Sequence, residues 1–129
     1  MNWNAFLAIG VGAALGAWAR WGLGLLLNPL FLAIPLGTLA ANLLGGYLIG
    51  VALGMFHSYA HLSPLLKLFL ITGFLGGLTT FSSFSGEVME RLLAQQYAWA
   101  FGAIALHLLG SLAMTFLGLW SVGVHRVWP

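Results

Sequence analysis

The sequence predicts an all-α integral membrane protein with four transmembrane helices per subunit. Its 129 residues are 61% hydrophobic and only 5% charged, far outside the composition of soluble domains. Because about 20 apolar residues cross a bilayer, this length accommodates roughly four to five spans and almost no extramembrane domain. Stretches without Asp, Glu, Lys or Arg cover residues 21–66, 68–86 and 92–125, and each can hold at least one span.

Turn-forming residues divide the chain into these four helices. Asn28-Pro29 with Pro35 marks the first junction, because proline disfavours helical geometry in the residue before it. Residues 57–64 mark the second junction and end in Ser-Pro, and residues 95–97 mark the third. The predicted helices cover residues 3–26, 34–56, 65–94 and 98–124 of a single transmembrane domain, residues 1–129.

The chain starts without a basic leader or a convincing small-x-small cleavage site, so its first apolar segment is interpreted as a retained span.

The first two helices carry small residues at the spacing of close helix contacts. Glycines at this spacing let two helix backbones approach closely. They are Gly12 and Gly16 on the first helix, then Gly46, Gly50 and Gly54 on the second. Contacts within the chain and contacts with another subunit explain them equally well.

The third helix is the unusual one. As a continuous helix, residues 65–94 would extend about 45 Å, beyond a hydrocarbon core of about 30 Å. Residues 73–87 read GFLGGLTTFSSFSGE, which places paired glycines, hydroxyls and two phenylalanines in an apolar segment. Irregular backbone at membrane depth persists only where protein buries it or where it lines a path. We therefore predict a break near mid-membrane, around residues 76–80, and consider it the first candidate for function.

Polar side chains inside the apolar spans are the next candidates. Asn42 lies one helical turn after Thr38, and an unpaired amide in lipid is costly, so Asn42 must face protein, water or a ligand. His107, Ser111 and Thr115 repeat the same four-residue spacing on the last helix. An interhelical hydrogen bond is an equally ordinary role for Asn42. Serine and threonine often bond back to their own helix.

The second half of the broken helix presents an acid and two aromatic rings. Glu87 is four residues from Ser83 and four residues from Arg91, so either a polar pair or a helix ion pair is possible. Phe81 and Phe84 share a face, and the positive edge of an aromatic ring can meet an anion. Ordinary packing is the alternative role for the two rings, although the surrounding hydroxyls favour the anion.

The distribution of basic residues bears on assembly. Lys67 and Arg126 fall near the side of the N-terminus, whereas Arg91 and Arg20 fall near the other, which leaves almost no positive-inside bias. A chain of this kind can insert in both orientations. We predict an antiparallel homodimer about a two-fold axis in the membrane plane. A single orientation set by other features is the alternative.

The sequence resembles the Fluc (CrcB) fluoride channels of microbial membranes. Three blocks in the family's order carry the resemblance: GAWARWG at residues 16–22, GTLAANLLG at residues 37–45, and GFLGGLTTFSSFSGE at residues 73–87. Trp18, Trp21 and His107 depart from the expected residues outside the core motif. The resemblance implies a dual-topology antiparallel dimer in the bacterial cytoplasmic (inner) membrane. Its two pathways would export fluoride passively.

The resemblance also implies roles for individual residues. The ring edges of Phe81 and Phe84 would contact dehydrated fluoride, and Asn42 would donate an amide N–H to it. The remaining pathway residues are hydroxyl-bearing or charged: Ser83, Ser111, Thr115, Thr38, Glu87, and Arg20, the last raising the anion concentration at a vestibule. Backbone carbonyls of Gly76 and Thr79 from both subunits would offer four oxygens to a structural central sodium ion.

Other classes of protein fit the residues less well. A small dual-topology multidrug exporter needs a membrane-embedded carboxylate, and the first span has none. A non-transporting assembly protein would use the glycine faces but leave the broken helix unexplained. An enzyme is not expected, because the sequence offers no nucleophile–base pair and no metal-ligand spacing. The net charge of +2 is too small to indicate nucleic acid, and no protein partner beyond a second copy is implied.

Overall fold

The computed structural model describes residues 2–123, and every regular element in this part of the chain is helical. The prediction of an all-helical protein with four helices able to cross a membrane is confirmed. These four apolar segments are Trp3–Leu30, Leu36–Ser58, Pro64–Leu93 and Tyr97–Ser121. Residue 124, where the last predicted helix ends, and Arg126 lie outside the described residues.

The first segment consists of α1 (Trp3–Leu27) and a 3-10 turn, Asn28–Leu30. The side chain of Asn28 then reaches across the junction, and its Oδ1 accepts from the backbone N–H of Gly37 at 2.7 Å and of Thr38 at 3.3 Å. Helix α2 (Leu36–Ser58) has Pro35 at its N-cap, where no side chain can cap the helix. Asn28 supplies that cap from a distance, which ties the end of α1 to the start of α2.

Helix α2 packs along α6 (Tyr97–Ser121) through glycines. A β-carbon on Gly46 or Gly50 would collide with the backbone of α6, at Ser111 and Thr115 respectively. A β-carbon on Gly118 of α6 would in turn collide with the carbonyl oxygen of Tyr47. These glycines therefore serve contacts within the chain, which bring two polar faces of α2 and α6 together.

The third segment is built from several pieces. Helix α3 (Pro64–Lys67) leads into a π-helix, Leu68–Leu75, and then into the single turn α4, Gly76–Leu78. This half packs against α1, where Gly12 and Gly16 admit the backbone carbonyls of Phe69 and Phe74. The π-helix is not predicted by any local sequence signal. Such wider turns are common near functional sites.

Helical geometry stops at Leu78 and resumes at Phe81, where α5 (Phe81–Leu93) begins. Thr79 has φ −83° and ψ 154°, and Thr80 has φ −148° and ψ 116°, so both residues are extended. We call these two residues the Thr79–Thr80 step. Leu78, just before the step, is 1% exposed and belongs to a small buried cluster with Ala41 and Leu75.

Large apolar side chains cover the outer surface of the bundle. Trp3, Leu26, Leu109 and Phe116 are among the many that are more than half exposed. Side chains of this kind are stable when they face lipid tails, and the buried core is correspondingly small. The chain is a multi-pass membrane protein.

The glycine contacts between α2 and α6 lead to a prediction about stability. Gly50→Ala should lower the Tm in detergent, because its methyl group would collide with the carbonyl of Thr115, at a cost of about 1–3 kcal/mol. Gly102→Ala on α6 is the matched control, since open space surrounds that position, and it should be neutral or stabilising. Equal Tm values for the two variants in a thermal unfolding experiment would contradict the proposed close contact.

Candidate functional site

The side-chain amide of Asn42 holds the Thr79–Thr80 step. Its Oδ1 accepts from the backbone N–H of Thr80 at 2.8 Å, and its Nδ2 donates to the backbone carbonyl of Thr80 at 3.0 Å. One side chain on α2 thus satisfies the donor and the acceptor of a residue that has left the helix. An extended residue among apolar helices would otherwise expose two unpaired polar groups.

This arrangement redirects the hydrogen bonds of the third segment. In a continuous α-helix the N–H of Thr80 would donate to Gly76, and the N–H of Ser83 would donate to Thr79. Here the first donates to Asn42, and the second donates to Oγ1 of Thr80 at 3.1 Å, which makes Thr80 the N-cap of α5. The carbonyls of Gly76 and Thr79 therefore lose their usual helical donors.

Arg20 also contacts the backbone next to the step. Its Nε donates to the carbonyl oxygen of Gly77 at 3.0 Å. Carbonyls at the C-terminal end of a helix carry partial negative charge, so a guanidinium is favourable there. Thr79 stays hydrogen-bonded to the N-terminal half of the third segment, since its N–H and its Oγ1 donate to the carbonyl of Leu75 at 3.0 and 2.8 Å. The structure thus places the predicted vestibule arginine beside the step.

Aromatic rings flank the step on its C-terminal side. The rings of Phe81 and Phe84 meet edge to face, with centroids 5.6 Å apart and planes at 72°. Phe84 in turn lies against the imidazole of His107, at 4.5 Å and 30°. Phe81 is 79% exposed, so most of this side chain is accessible from outside the four helices.

A groove of about 510 Å³ connects these groups. Phe81 and Phe84 line it, and its polar lining consists of Asn42, Thr79, Thr80, His107, Ser111 and Thr115. Most of the lining is apolar, so few polar atoms are available to an ion in the groove. The hydroxyl of Thr115 donates to the carbonyl of Ser111 at 2.9 Å, which is the bond back to its own helix noted as an alternative.

Thr38 on α2 contacts Glu87 on α5. Thr38 lies one turn before Asn42, and Glu87 lies about one turn after Phe84. Oγ1 of Thr38 donates to Oε1 of Glu87 at 2.6 Å. Nη1 of Arg91 donates instead to Oε1 of Gln96 at 2.8 Å. Glu87 therefore has a hydroxyl partner on another helix, and the alternative of a Glu87–Arg91 pair is not what the structure contains. The contact continues the polar face of α2 beyond Asn42.

The predicted residues fall into three places. Asn42, Phe81, Phe84, Ser111, Thr115, Gly76 and Thr79 line the groove, and Thr38 and Glu87 pair beside it. Arg20 donates to the backbone carbonyl of Gly77, just before the step, and the backbone N–H of Ser83 donates to the hydroxyl of Thr80. Two contributions were missed. Thr80 was predicted only as one of the hydroxyls of residues 73–87, although Thr is a favoured residue at a helix N-cap. His107 was noted for its spacing and as a departure from the expected residues, but its contacts with Asn42 and Phe84 were not predicted. Stacking on Phe84 depends on tertiary contacts that no local pattern encodes.

Side chains offer no metal centre in residues 2–123. No group of three or more His, Cys, Asp or Glu side chains there is placed to hold a metal ion. Backbone carbonyls next to the step, among them those of Gly76 and Thr79, also offer oxygen atoms. Carbonyl oxygen is a suitable ligand for a hard cation.

Comparisons with known proteins identify the family of the chain. The sequence profile of the family described as CrcB-like protein, Camphor Resistance (CrcB), matches residues 7–119. A relative from Dechloromonas aromatica is 68% identical over 95% of this chain and 91% of its own length. Relatives from Nitrosospira multiformis and Ralstonia nicotianae are 62% and 59% identical, over 95% of this chain and 95% and 97% of their own lengths. All three are named fluoride-specific ion channel FluC.

These findings settle two of the expectations from sequence. The prediction that the chain is not an enzyme is confirmed, because relatives of such high identity are named as ion channels. The resemblance seen in the three sequence blocks is confirmed as well, since profile and relatives alike extend over most of the chain. By both measures, the chain belongs to the CrcB family.

Proposed function

We propose that the protein is a fluoride-selective ion channel that exports fluoride passively across the bacterial cytoplasmic (inner) membrane. The names of the relatives support the ion and the class of transport. The single observation that carries the proposal is the Thr79–Thr80 step itself. Asn42 bonds to both backbone polar groups of Thr80, and the rings of Phe81 and Phe84 follow the step at the start of α5. We propose that the step lies near mid-membrane.

The chemistry of the groove suits a small, hard, strongly hydrated anion. Such an ion gives up its water only where fixed donors replace that water. Hydroxyl and N–H groups are donors, and the edges of aromatic rings carry partial positive charge. Edge-to-face packing of Phe81 and Phe84 fixes the orientation of the two rings relative to each other. The rest of the lining is apolar, so it offers a larger anion, which forms weaker hydrogen bonds, little to replace the hydration it loses on entering the groove.

We propose a pathway that runs along the facing sides of α2, α5 and α6. Its residues share a polar or aromatic group on or beside the groove: Thr115, Ser111, Asn42, Phe81, Phe84, Ser83, Thr38 and Glu87. Asn42 contributes by fixing the backbone of Thr80 and by directing its second amide hydrogen toward His107. The hydrogen-bonded pair of Thr38 and Glu87 would be the next polar contact for the ion along the pathway. Arg20, bound at Gly77, supplies positive charge beside the step.

An antiparallel homodimer with two pathways is the proposed assembly. Phe81 is 79% exposed, and the groove beside it is open, so a second subunit can cover both. Lys67 and Arg91 lie at opposite ends of the third segment, while Arg20 is bonded to the backbone next to the step. One basic residue at each end gives little preference for either orientation, which supports dual topology.

We propose that a structural sodium ion sits on the dimer axis. The carbonyls of Gly76 and Thr79 fit this role, because their helical donors are engaged by Asn42 and by Oγ1 of Thr80. Two such carbonyls from each subunit would supply four hard oxygen ligands, the donor type that such cations prefer. The bound cation would contribute positive charge between the two anion pathways.

A flux assay tests the proposed function directly. Purified protein in liposomes should release fluoride much faster than chloride, without an imposed proton gradient, as measured with ion-selective electrodes. Protein-free liposomes provide the baseline. Equal rates for the two anions would remove the claim of selectivity, and a requirement for a proton gradient would remove the claim of passive transport.

Loss of the ring edges should impair transport. Phe81→Ile or Phe84→Ile should lower the fluoride flux by about tenfold, because the edge charge is lost while much of the volume remains. Phe101→Ile is the matched control, since that ring lies on the outer surface of α6 and is 63% exposed. Flux at the wild-type level in both groove variants would show that these rings only pack against their neighbours and do not contact the ion.

Dual topology can be tested with a single introduced thiol. The chain has no cysteine, so His61→Cys in the exposed loop between α2 and α3 creates a unique label site. If both orientations occur, a membrane-impermeant maleimide should label roughly half of the copies from each side of the membrane. Labelling from one side only would exclude the antiparallel dimer, while the flux assay would be unaffected by that result.

A further inference from the structure

A second groove lies between α2 and the N-terminal half of the third segment, near the loop that joins them. Its volume is about 230 Å³. Every side chain of residues 2–123 that lines it is apolar, among them Val51, Met55, Phe56, Leu66 and Leu70. We call it the Phe56 groove. It contains none of the residues proposed for the ion pathway.

The Phe56 groove extends over about one leaflet of a bilayer. Its wall on α2 runs from Leu48 to Phe56, which is about 12 Å at 1.5 Å per residue. One leaflet is half of a hydrocarbon core of about 30 Å. Phe56 lies close to the loop that follows α2, whereas Leu48 and Leu75 form the other end, the latter shortly before the Thr79–Thr80 step. The groove therefore has the length and the direction of a lipid acyl chain.

The lining of the Phe56 groove suits a hydrocarbon and not water or an ion. Water occupies a cavity where several polar partners are available, and apolar cavities stay dry. An empty gap between two helices would forfeit dispersion contacts along both walls. Met55 and Leu66 line the groove and are 42% and 40% exposed, so it is accessible from the surrounding lipid.

A cation lies at the loop end of the Phe56 groove. Nζ of Lys67 is 5.9 Å from the centroid of the Phe56 ring, and this side chain forms part of the wall. The two acids of the chain, Glu87 and Glu90, both lie on α5, toward the other end of the third segment. Within residues 2–123 the charge of Lys67 therefore has no carboxylate partner. A lysine at such a position can lay its stem on apolar surface and direct its ammonium group to the lipid headgroups.

We propose that the Phe56 groove is a binding site for an anionic phospholipid. One acyl chain fills the groove, and the phosphate group contacts the ammonium group of Lys67. An apolar slot with a cation at its interfacial end matches both chemical parts of this ligand. A zwitterionic lipid offers the same tail but no net negative charge. The site does not depend on which ion the protein transports.

Native mass spectrometry of the full-length protein measures the preference for the headgroup. Protein released from detergent micelles should bind phosphatidylglycerol about fivefold more tightly than phosphatidylcholine with the same acyl chains, the factor that one lysine near a membrane surface contributes. Lys67→Gln should bind the two lipids equally, whereas Lys67→Arg should keep the preference. Arg91→Gln is the matched control, since it removes a cation at the other end of the third segment, and it should also keep the preference. Equal binding of the two lipids by the wild type, or an unchanged preference in Lys67→Gln, would overturn the proposal.

Two tryptophan substitutions test whether the acyl chain occupies the groove. Leu66→Trp enlarges a side chain that lines the groove, while Leu65→Trp changes its neighbour outside the lining. The two leucines are 40% and 39% exposed, so the variants differ in position and not in burial. Leu66→Trp should lower the bound fraction of phosphatidylglycerol several-fold, and Leu65→Trp should bind it as the wild type does. Equal binding by the two variants would exclude the groove as the site of the tail.

A second copy of the chain is the alternative occupant of the Phe56 groove. The same spectra detect it, because they resolve the mass of the assembly together with its bound lipid. Dimers that retain no lipid, with a shift from dimer to monomer in Leu66→Trp but not in Leu65→Trp, would assign the groove to a subunit interface and overturn the proposal. None of these measurements requires fluoride transport, so this site and the proposed function are tested independently.

Discussion

The pair of hydrogen bonds between the Asn42 amide and the backbone of Thr80 is the constraint on which the rest of the site depends. Because Asn42 takes the N–H of Thr80, the third segment can stop being helical without leaving that donor unpaired. The same bond withholds the helical donor from Gly76, and Thr80 becomes free to cap α5. The backbone oxygens, the start of α5 and the orientation of His107 all follow from one amide group.

The glycine contacts explain why Asn42 can reach Thr80 at all. Gly46 and Gly50 bring α2 against α6, and Gly12 and Gly16 bring α1 against the N-terminal half of the third segment. Close approach of helices leaves room in the centre for short polar side chains but for few large ones. The narrow interior therefore selects the kind of residue that can line it. A groove with this lining compensates a small anion better than a large one.

Much of the fold was predictable from sequence, because length, composition and proline placement determine how many helices fit and where they end. Residues that line the groove or contact the Thr79–Thr80 step could also be singled out, since an amide or a hydroxyl in an apolar span is conspicuous. Their partners were not. Arg20 bonds to Gly77 and Glu87 bonds to Thr38, contacts that depend on how helices rotate against each other. The π-helix, Leu68–Leu75, was missed because its hydrogen-bond register reflects packing against α1 and not a residue pattern.

The cap that Asn28 places on α2 has a consequence for biogenesis. It joins the first two helices into a hairpin by contacts only nine and ten residues apart in the chain. This hairpin can form during translation as soon as α2 emerges. Asn42 must then enter the bilayer before its partner, because Thr80 is synthesised 38 residues later. Until the third segment is inserted, the Asn42 amide of the hairpin lacks its hydrogen bonds to Thr80. An unpaired amide is costly in lipid, so docking of the third segment onto the hairpin is favoured over release of the hairpin into bulk lipid.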